Sequence, residues 1–578
     1  MNSHNISLSQ IRHDIRIRFN ENLIVAAPLN TTIEAICDYV QSIGAYTPKA
    51  PIIAAICDGK LRELTYILAH DCNITPVTLA SSDGGRIYRR SLVLLLVVAL
   101  AELFPEKRVN VGYAVPDGGY YCDLLNSPPL TADEIARLET HMHALVAADE
   151  PITKRMMPLA DAEALFAERE DDDKVRLLQY RNRTELVMYS LRGHHDYYFG
   201  YMVASTRYLT TFRLIPVDNG FILQYPRQEN PQQLGKLDAY SKLSAVFQQA
   251  DDWLTKLGVE DIGRFNSIVQ GTRLQEMILI AEALHEQKIS DIAQDIAQRL
   301  ETGVKIVTIA GPSSSGKTTF SKRLAIQLMA LGIQPFTVEM DNFFVDRDLT
   351  PRDDSGNVDF EALQAINLVL FNDVLNRLMQ GEQVQLPHFD FLQGKSVAGA
   401  LAQLQPQQII ILEGIHGLNT QLFTSIASDR IYRIYVSALT QLNMDRHNRV
   451  ATTDVRLMRR IVRDANTRGY SAQATIARWS SVRRGEKRNI FPFQENADAL
   501  FNSALVYELA ALRPTIEPLL LQVESGTPMH IESNRLLSFL RWVVPFSPDQ
   551  IAMIPDTSLL REFIGGSVLE KYHPGALS

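Results

Sequence analysis

The stretch Gly311-Pro-Ser-Ser-Ser-Gly316-Lys317-Thr318 constrains this chain more than any other. It has the G-x-x-x-x-G-K-[ST] spacing and lies between the apolar run Val304-Lys-Ile-Val-Thr-Ile-Ala310 and a segment with helical periodicity. Where a buried parallel strand runs into glycines, the backbone can wrap an anion without side-chain clashes, and the next helix turns its N-terminal amides toward it. The spacing predicts an α/β P-loop domain that binds a nucleoside triphosphate. Gly311, Ser313, Ser314, Ser315, Gly316, Lys317, Thr318 and Thr319 are expected around the phosphates. Lys317 should reach the β- and γ-phosphates, and the Thr318 hydroxyl should hold Mg²⁺.

A length of 578 residues exceeds a single core, and about 150 residues per domain suggests three or four. A net charge of -9 gives the whole chain no pull toward nucleic acid or anionic membrane. The cysteines, Cys37, Cys57, Cys72 and Cys122, form no C-x-x-C pair, so neither a disulfide framework nor a zinc ribbon is indicated. Residues Met1 to Gln10 lack a basic region followed by an apolar core, from which a cytoplasmic location is expected. The run Leu92 to Ala101 is too short to span a bilayer and reads as a buried helix.

Strand alternation in Ile15-Arg-Ile-Arg-Phe19 is followed by Leu23-Ile-Val-Ala and by Thr31-Thr-Ile-Glu-Ala-Ile, where Thr31 or Thr32 can cap a helix. Ala54-Ala-Ile-Cys-Asp-Gly-Lys60-Leu-Arg-Glu-Leu comes next. This order is similar to a TGS domain, the ubiquitin-sized module of threonyl-tRNA synthetases and some GTPases. Beyond it, Arg86-Ile-Tyr-Arg-Arg-Ser91-Leu-Val-Leu-Leu-Leu, Leu103-Phe-Pro105 and Asp117-Gly-Gly-Tyr-Tyr-Cys122-Asp resemble the second domain of threonyl-tRNA synthetase, which there clears mischarged tRNA. That family's H-x-x-x-H falls on Arg90 and Leu94, and its later Cys and His fall on Tyr198 and Met202. Without those side chains the region cannot hold zinc as the family does, and it reads as a binding or packing remnant. His194 and His195 lie nearby on a polar loop, where solvated histidines are commoner than metal ligands. From about residue 226 to 302 the pattern is a helical connector, with His285 structural or exposed.

After the phosphate loop, Gln334-Pro-Phe-Thr-Val-Glu-Met340 reads as a second strand ending in Asp341. A carboxylate at the C-terminal edge of an α/β sheet faces the ligand crevice, so Asp341 is the candidate base for an attacking hydroxyl. A third strand, Gln408-Ile-Ile-Ile-Leu412, runs into Glu413-Gly-Ile-His416, and Glu413 is expected to orient Mg²⁺. His416 could contact substrate or be a satisfied loop histidine. In Arg456-Leu-Met-Arg-Arg460-Ile-Val-Arg463-Asp464-Ala-Asn-Thr-Arg468-Gly469, helical spacing puts Arg456, Arg460 and Arg463 on one face with Arg459 beside them. Such a helix would neutralise charge on a transferred phosphoryl group. Arg478, Arg483, Arg484, Lys487 and Arg488 extend it, and an RNA contact is the second reading of that extension.

Together these features resemble the uridine kinase and phosphoribulokinase superfamily over roughly residues 300 to 510, and the whole chain resembles a bacterial uridine kinase-like nucleoside kinase family. The resemblance implies Asp341 as general base, Lys317, Arg463 and Arg468 as catalytic cations, Asp359 on the ribose hydroxyls, and Arg460 and His416 near substrate. Uridine kinases read the base with a Tyr and a His where this chain has Phe389 and Gly394. Phe389 could still stack, but Gly394 cannot hydrogen-bond a base edge, and such bonds can discriminate by about 10⁴. Glu413-Gly-Ile-His is also similar to the Glu-Gly-x-His of phosphoribulokinases, which keeps a sugar or sugar phosphate as acceptor.

The expected arrangement is thus a TGS-like region (1–80), a synthetase-like region (81–225), the connector (226–302), a P-loop kinase with a parallel sheet flanked by helices (303–510), and a helical extension (511–578). The expected reaction uses Mg²⁺ and ATP to phosphorylate the 5′-hydroxyl of a nucleoside. A ribosome- or RNA-associated nucleotide switch is a further alternative, though the Asn-Lys-x-Asp that reads guanine is absent. Small-molecule acceptors are the expected partners, with no membrane; an oligomer is compatible.

Overall fold

The computed structural model describes residues 12–574 except 239, 353–355, 357, 391–392 and 441, and the reading of Met1 to Gln10 falls outside them. The chain divides into two compact units: residues 1–239 with 444–449 and 524–539, and residues 240–443 with 450–523 and 540–578.

In the first unit, the alternation at Ile15, Ile17 and Phe19 becomes strand Asp14–Phe19 with those three side chains inward. It pairs antiparallel with Leu23–Pro28 and parallel with Cys72–Thr78, and Ile52–Cys57 and Lys60–Glu63 complete a five-stranded mixed sheet. Helix Ile33–Ser42 is capped by Thr32, whose side chain accepts from the Ala35 amide, and buries Ile33, Ile36, Cys37 and Val40. The greasy run lies in helix Ser82–Leu103, in which every residue from Leu92 to Leu100 is buried. A helix that is apolar all round must be enclosed, and this one shares a core with a four-stranded antiparallel sheet and helix Ala132–Ala147. The six residues Met444–Arg449 belong here because Arg446 pairs with Asp173 at 2.6 Å and Asp445 accepts from the Tyr197 hydroxyl at 2.8 Å. All four cysteines are buried and free.

The second unit opens with helices Ser241–Leu257, Ile262–Gln270 and Leu274–Glu301. Its centre is a five-stranded parallel sheet of β1 (Ile306–Ala310), β2 (Gln334–Glu339), β3 (Gln408–Glu413), β4 (Ile431–Ser437) and β5 (Ala499–Asn502), in the order β2-β3-β1-β4-β5. Its middle strand β1 is buried at every position, as its largely apolar sequence requires, and the one hydroxyl, on Thr308, donates to the Gly417 carbonyl at 2.8 Å. Helix α1 (Lys317–Ala330) follows the phosphate loop; α2 (Thr452–Arg468) and α3 (Ala472–Asn489) carry the basic sequence. A hairpin, Gln383–Asp390 with Lys395–Gln403, stands apart from the sheet. No helix among the described residues is long and apolar enough to cross a membrane.

Candidate active site

Because the five strands are parallel, their C-terminal ends share one edge, and that edge collects the chemistry. From β1 comes the phosphate loop, from β2 the turn Met340–Phe343 with Asp341, and from β3 Glu413, which is in register with Glu339. Gly316 takes φ +83° at the start of α1, and a Cβ on Gly311 would overlap the Val436 carbonyl oxygen, so both positions demand glycine. Lys317 Nζ donates to the Pro312 carbonyl at 3.3 Å, and Thr318 Oγ1 donates to Glu413 Oε1 at 3.0 Å. Ser313 gives its amide to Glu486 at 3.0 Å and its hydroxyl receives Arg460 at 2.8 Å. The hydroxyls of Ser314 and Ser315 are buried without a partner among the described residues. Thr319 donates its hydroxyl to Glu562 at 2.7 Å and its amide at 3.3 Å.

Burial disfavours charge of either sign here. It raises Glu413 to about 7 despite Lys317 beside it, and the protein packed around Asp341 raises that carboxyl too, against the pull of Lys317, although its side chain keeps an exposed face. It lowers Lys317, and it lowers Arg460 and Arg463, whose Nε atoms are buried without hydrogen-bond partners. Cations and carboxylates thus face one cleft incompletely paired, with donor hydroxyls to spare. A polyanion carrying a divalent cation would relieve both sets at once, so the residues fit ATP and Mg²⁺.

The arginine helix divides its labour in a way the sequence does not reveal. Arg456 and Arg459 are fully buried structural clamps. Arg456 pairs with Glu486 and donates to the Ser313 carbonyl at 3.0 Å; Arg459 pairs with Glu508 and donates to the Ser503 carbonyl at 2.8 Å. Paired so, they brace the loop instead of lining a lid. Arg460 and Arg463 remain toward the cleft, and Arg468, half exposed, pairs with Asp464 at 3.3 Å.

Two residues read as candidate substrate contacts, Phe389 and His416, are buried in the fold. The Phe389 ring is 1% exposed, edge-on to Phe344 and Phe360 with centroids 5.6 and 6.2 Å away, so it builds the core and is not a stacking platform. Gly394 takes φ +69° against Arg347, where a side chain would collide. His416 is 1% exposed; burial holds it near 4, outweighing the Ala362 backbone and Asp359, and it is therefore neutral. Asp359 accepts from Arg488 at 2.6 Å. His285, read as structural or exposed, is buried against Phe501 and accepted by the Ala504 carbonyl at 3.2 Å.

Sequence reasoning passed over three acids. Glu361, raised to about 7 by burial against the pull of Arg460 and Lys317, faces the same cleft. Its signal was available: it is the second of two acids flanking Phe360, whose ring packs on Phe344. Glu486 shows locally only as the i,i+3 partner of Arg483, and neither its bond to the Ser313 amide, 173 residues away, nor that of Glu562 to Thr319, 243 residues away, leaves a local signal.

In the first unit, the four positions that replace the synthetase ligands do come together. Arg90 donates to the Tyr201 carbonyl at 2.7 Å, and the Ser91 hydroxyl meets Met202 Sδ at 3.4 Å. Leu94, Tyr198 and Met202 are buried, and the space is filled by side chains outside the Cys, His, Asp and Glu set that holds zinc. His194 and His195, adjacent on a short strand, point to opposite sides. Among the described residues no group of three or more His, Cys, Asp or Glu could hold a metal ion.

Residues 306–509 match the family described as Phosphoribulokinase / Uridine kinase family. Over the N-terminal region, a threonine–tRNA ligase of Xanthomonas euvesicatoria is 29% identical across 229 residues, 39% of this chain and 35% of the ligase. That of Polynucleobacter necessarius is 32% identical over 187 residues, covering 32% of this chain and 29% of the ligase. The chain therefore spans about a third of the length of the curated relatives it matches. A solved structure described as "a Possible Uridine Kinase from Bacillus stearothermophilus" is 17% identical over 37% of this chain and 98% of its own, with a TM-score of 0.26. Residues 306–509 are a kinase domain of the Phosphoribulokinase / Uridine kinase family, joined in one chain to an N-terminal region related to threonine–tRNA ligases.

Proposed function

We propose that this domain transfers the γ-phosphoryl group of Mg²⁺-ATP to a primary hydroxyl of a small acceptor, with the 5′-hydroxyl of a nucleoside as the first candidate. The observation that carries this is the shared strand edge, which sets Asp341 beside a phosphate loop whose Thr318 is already bonded to Glu413. Thr318 and Glu413 would hold Mg²⁺, and the loop amides, Ser313, Ser314, Ser315 and Lys317 would hold the phosphates. ATP supplies the phosphoryl group. Asp341 accepts the proton of the acceptor hydroxyl; crowding raises its affinity for that proton, and Lys317 keeps the raise in check. Arg460, Arg463 and Arg468 bring positive charge to the transferring group, which needs placement and electrostatic support more than covalent help. Asp359 and Glu361 are suited to hydroxyls of the acceptor.

A sugar or sugar phosphate is the second reading, favoured by the core position of Phe389 and the bare Gly394, which leave no base-reading side chain at those places. A panel of nucleosides, sugars and sugar phosphates, each supplied with Mg²⁺-ATP and followed by ADP release, tests the proposal. Turnover with a nucleoside supports the first reading and turnover with a sugar alone the second. Hydrolysis stimulated only by RNA would replace both with a nucleotide switch built around the TGS-like region.

A further inference from the structure

We infer that Glu562 is an internal counter-anion of the phosphate loop, occupying the donors of Thr319 until a nucleotide phosphate displaces it and thereby setting the nucleotide affinity of the site. The inference rests on the reading that this loop binds nucleotide. Thr319 is the third residue of α1, in the turn whose amides have no partner within the helix and point at whatever anion lies ahead. In this chain its amide and hydroxyl are both given to one carboxylate oxygen, Glu562 Oε2. The same negative charge acts on Lys317, Glu413 and Arg463, so Glu562 lies inside the field of the groups that would meet the phosphates.

The backbone that delivers this carboxylate is fastened down. Leu559, Leu560 and Phe563 are buried, and Leu559 lies so close over Gly316 that a Cβ there would overlap it. Asn466 of α2 donates to the Phe563 carbonyl at 3.1 Å, and Lys322 of α1 donates to the Leu569 carbonyl at 2.7 Å. Such a segment does not peel away readily, but a glutamate can swing its carboxylate aside through side-chain torsions alone. In the empty site the carboxylate satisfies donors that would otherwise be orphaned and offsets part of the Lys317 and Arg463 charge. When a phosphate arrives, two anions compete for one pair of donors. If Glu562 is in place nine-tenths of the time, the apparent affinity for nucleotide is about tenfold weaker than the loop alone would give.

The full-length chain carrying Glu562→Gln tests this by calorimetric titration with Mg²⁺-ATP and by thermal melts with and without ATP. The expected result is about tenfold tighter binding together with a lower melting temperature when empty, the deficit closing at saturating ATP. A residue with a merely structural role would lower the melting temperature and leave the affinity unmoved. Equal or weaker binding overturns the inference. If the glutamine variant does not fold, Glu562→Asp, which shortens the reach by one methylene, must show the same tightening. Lys317→Ala separates the two levels: if it abolishes ATP binding while Glu562→Gln binds no tighter than wild type, the counter-anion is refuted and the nucleotide site stands. Absence of ATP binding in both wild type and Glu562→Gln refutes the two together.

Discussion

The Thr318 hydroxyl donates to Glu413 at 3.0 Å, tying the first turn of α1 to the end of β3. The two residues are far apart in sequence, yet the strand that leads into the phosphate loop is paired in register with the strand that ends in Glu413, Ile309 opposite Glu413. The bond holds a hydroxyl and a carboxylate where a divalent ion could share them, and it holds the carboxylate in a place where burial makes its charge costly.

That cost gives a pH signature. Glu413 is raised from 4.5 to about 7, so the folded empty protein binds this proton more tightly than the unfolded chain does. The stability it contributes is complete below about pH 4.5 and is lost as pH rises through 7, a change of no more than roughly 3 kcal/mol. In denaturant titrations between pH 5 and 8, wild type should lose more stability than Glu413→Gln. Parallel curves for the two proteins would place the proton elsewhere.

Asp341→Asn keeps the shape of the turn and removes the base. Phosphoryl transfer should fall by about 10² or more with ATP affinity unchanged, as measured by steady-state kinetics alongside calorimetry. Full turnover in the variant would take Asp341 out of the mechanism.

Arg459 and Arg463 are one helical turn apart and should fail in different ways. Arg459→Ala strands the buried Glu508 and should cost about 3 to 5 kcal/mol of stability. Arg463→Ala removes a desolvated cation whose Nε makes no hydrogen bond and whose nearest acid, Asp464, is 3.8 Å away and shared with Arg460 and Arg468, so stability should hold within about 1 kcal/mol while kcat drops by about 10². Chemical denaturation and kinetics on both variants decide it; matching profiles would erase the distinction between clamp and cleft arginine.

Phe389→Ala should behave as a core mutation. Emptying that site beside Phe344 and Phe360 predicts a loss of about 3 to 5 kcal/mol, and the ratio of kcat/KM between two acceptors should stay constant. A changed ratio at unchanged stability would return Phe389 to the substrate.

The sequence by itself determined the parts of this protein that depend on neighbours in the chain. The strand, loop and helix around Gly311 to Thr318 follow from an apolar run, glycine spacing and a helical pattern, and the strand-ending acids Asp341 and Glu413 are legible for the same reason. The buried helix was legible over Leu92 to Ala101, where its apolar face has no gap, and its start at Ser82 was not. Only the tertiary structure decided which arginines of α2 are braces and which face the cleft, because helical spacing fixes the face a residue shares and not the partner it meets. It also decided that Phe389 turns into the core, that Glu361 joins the cleft, and that Glu562 reaches Thr319 from 243 residues away. Those contacts are set by how the sheet edge and the C-terminal segment pack, and packing between distant segments leaves no local period for a sequence to display.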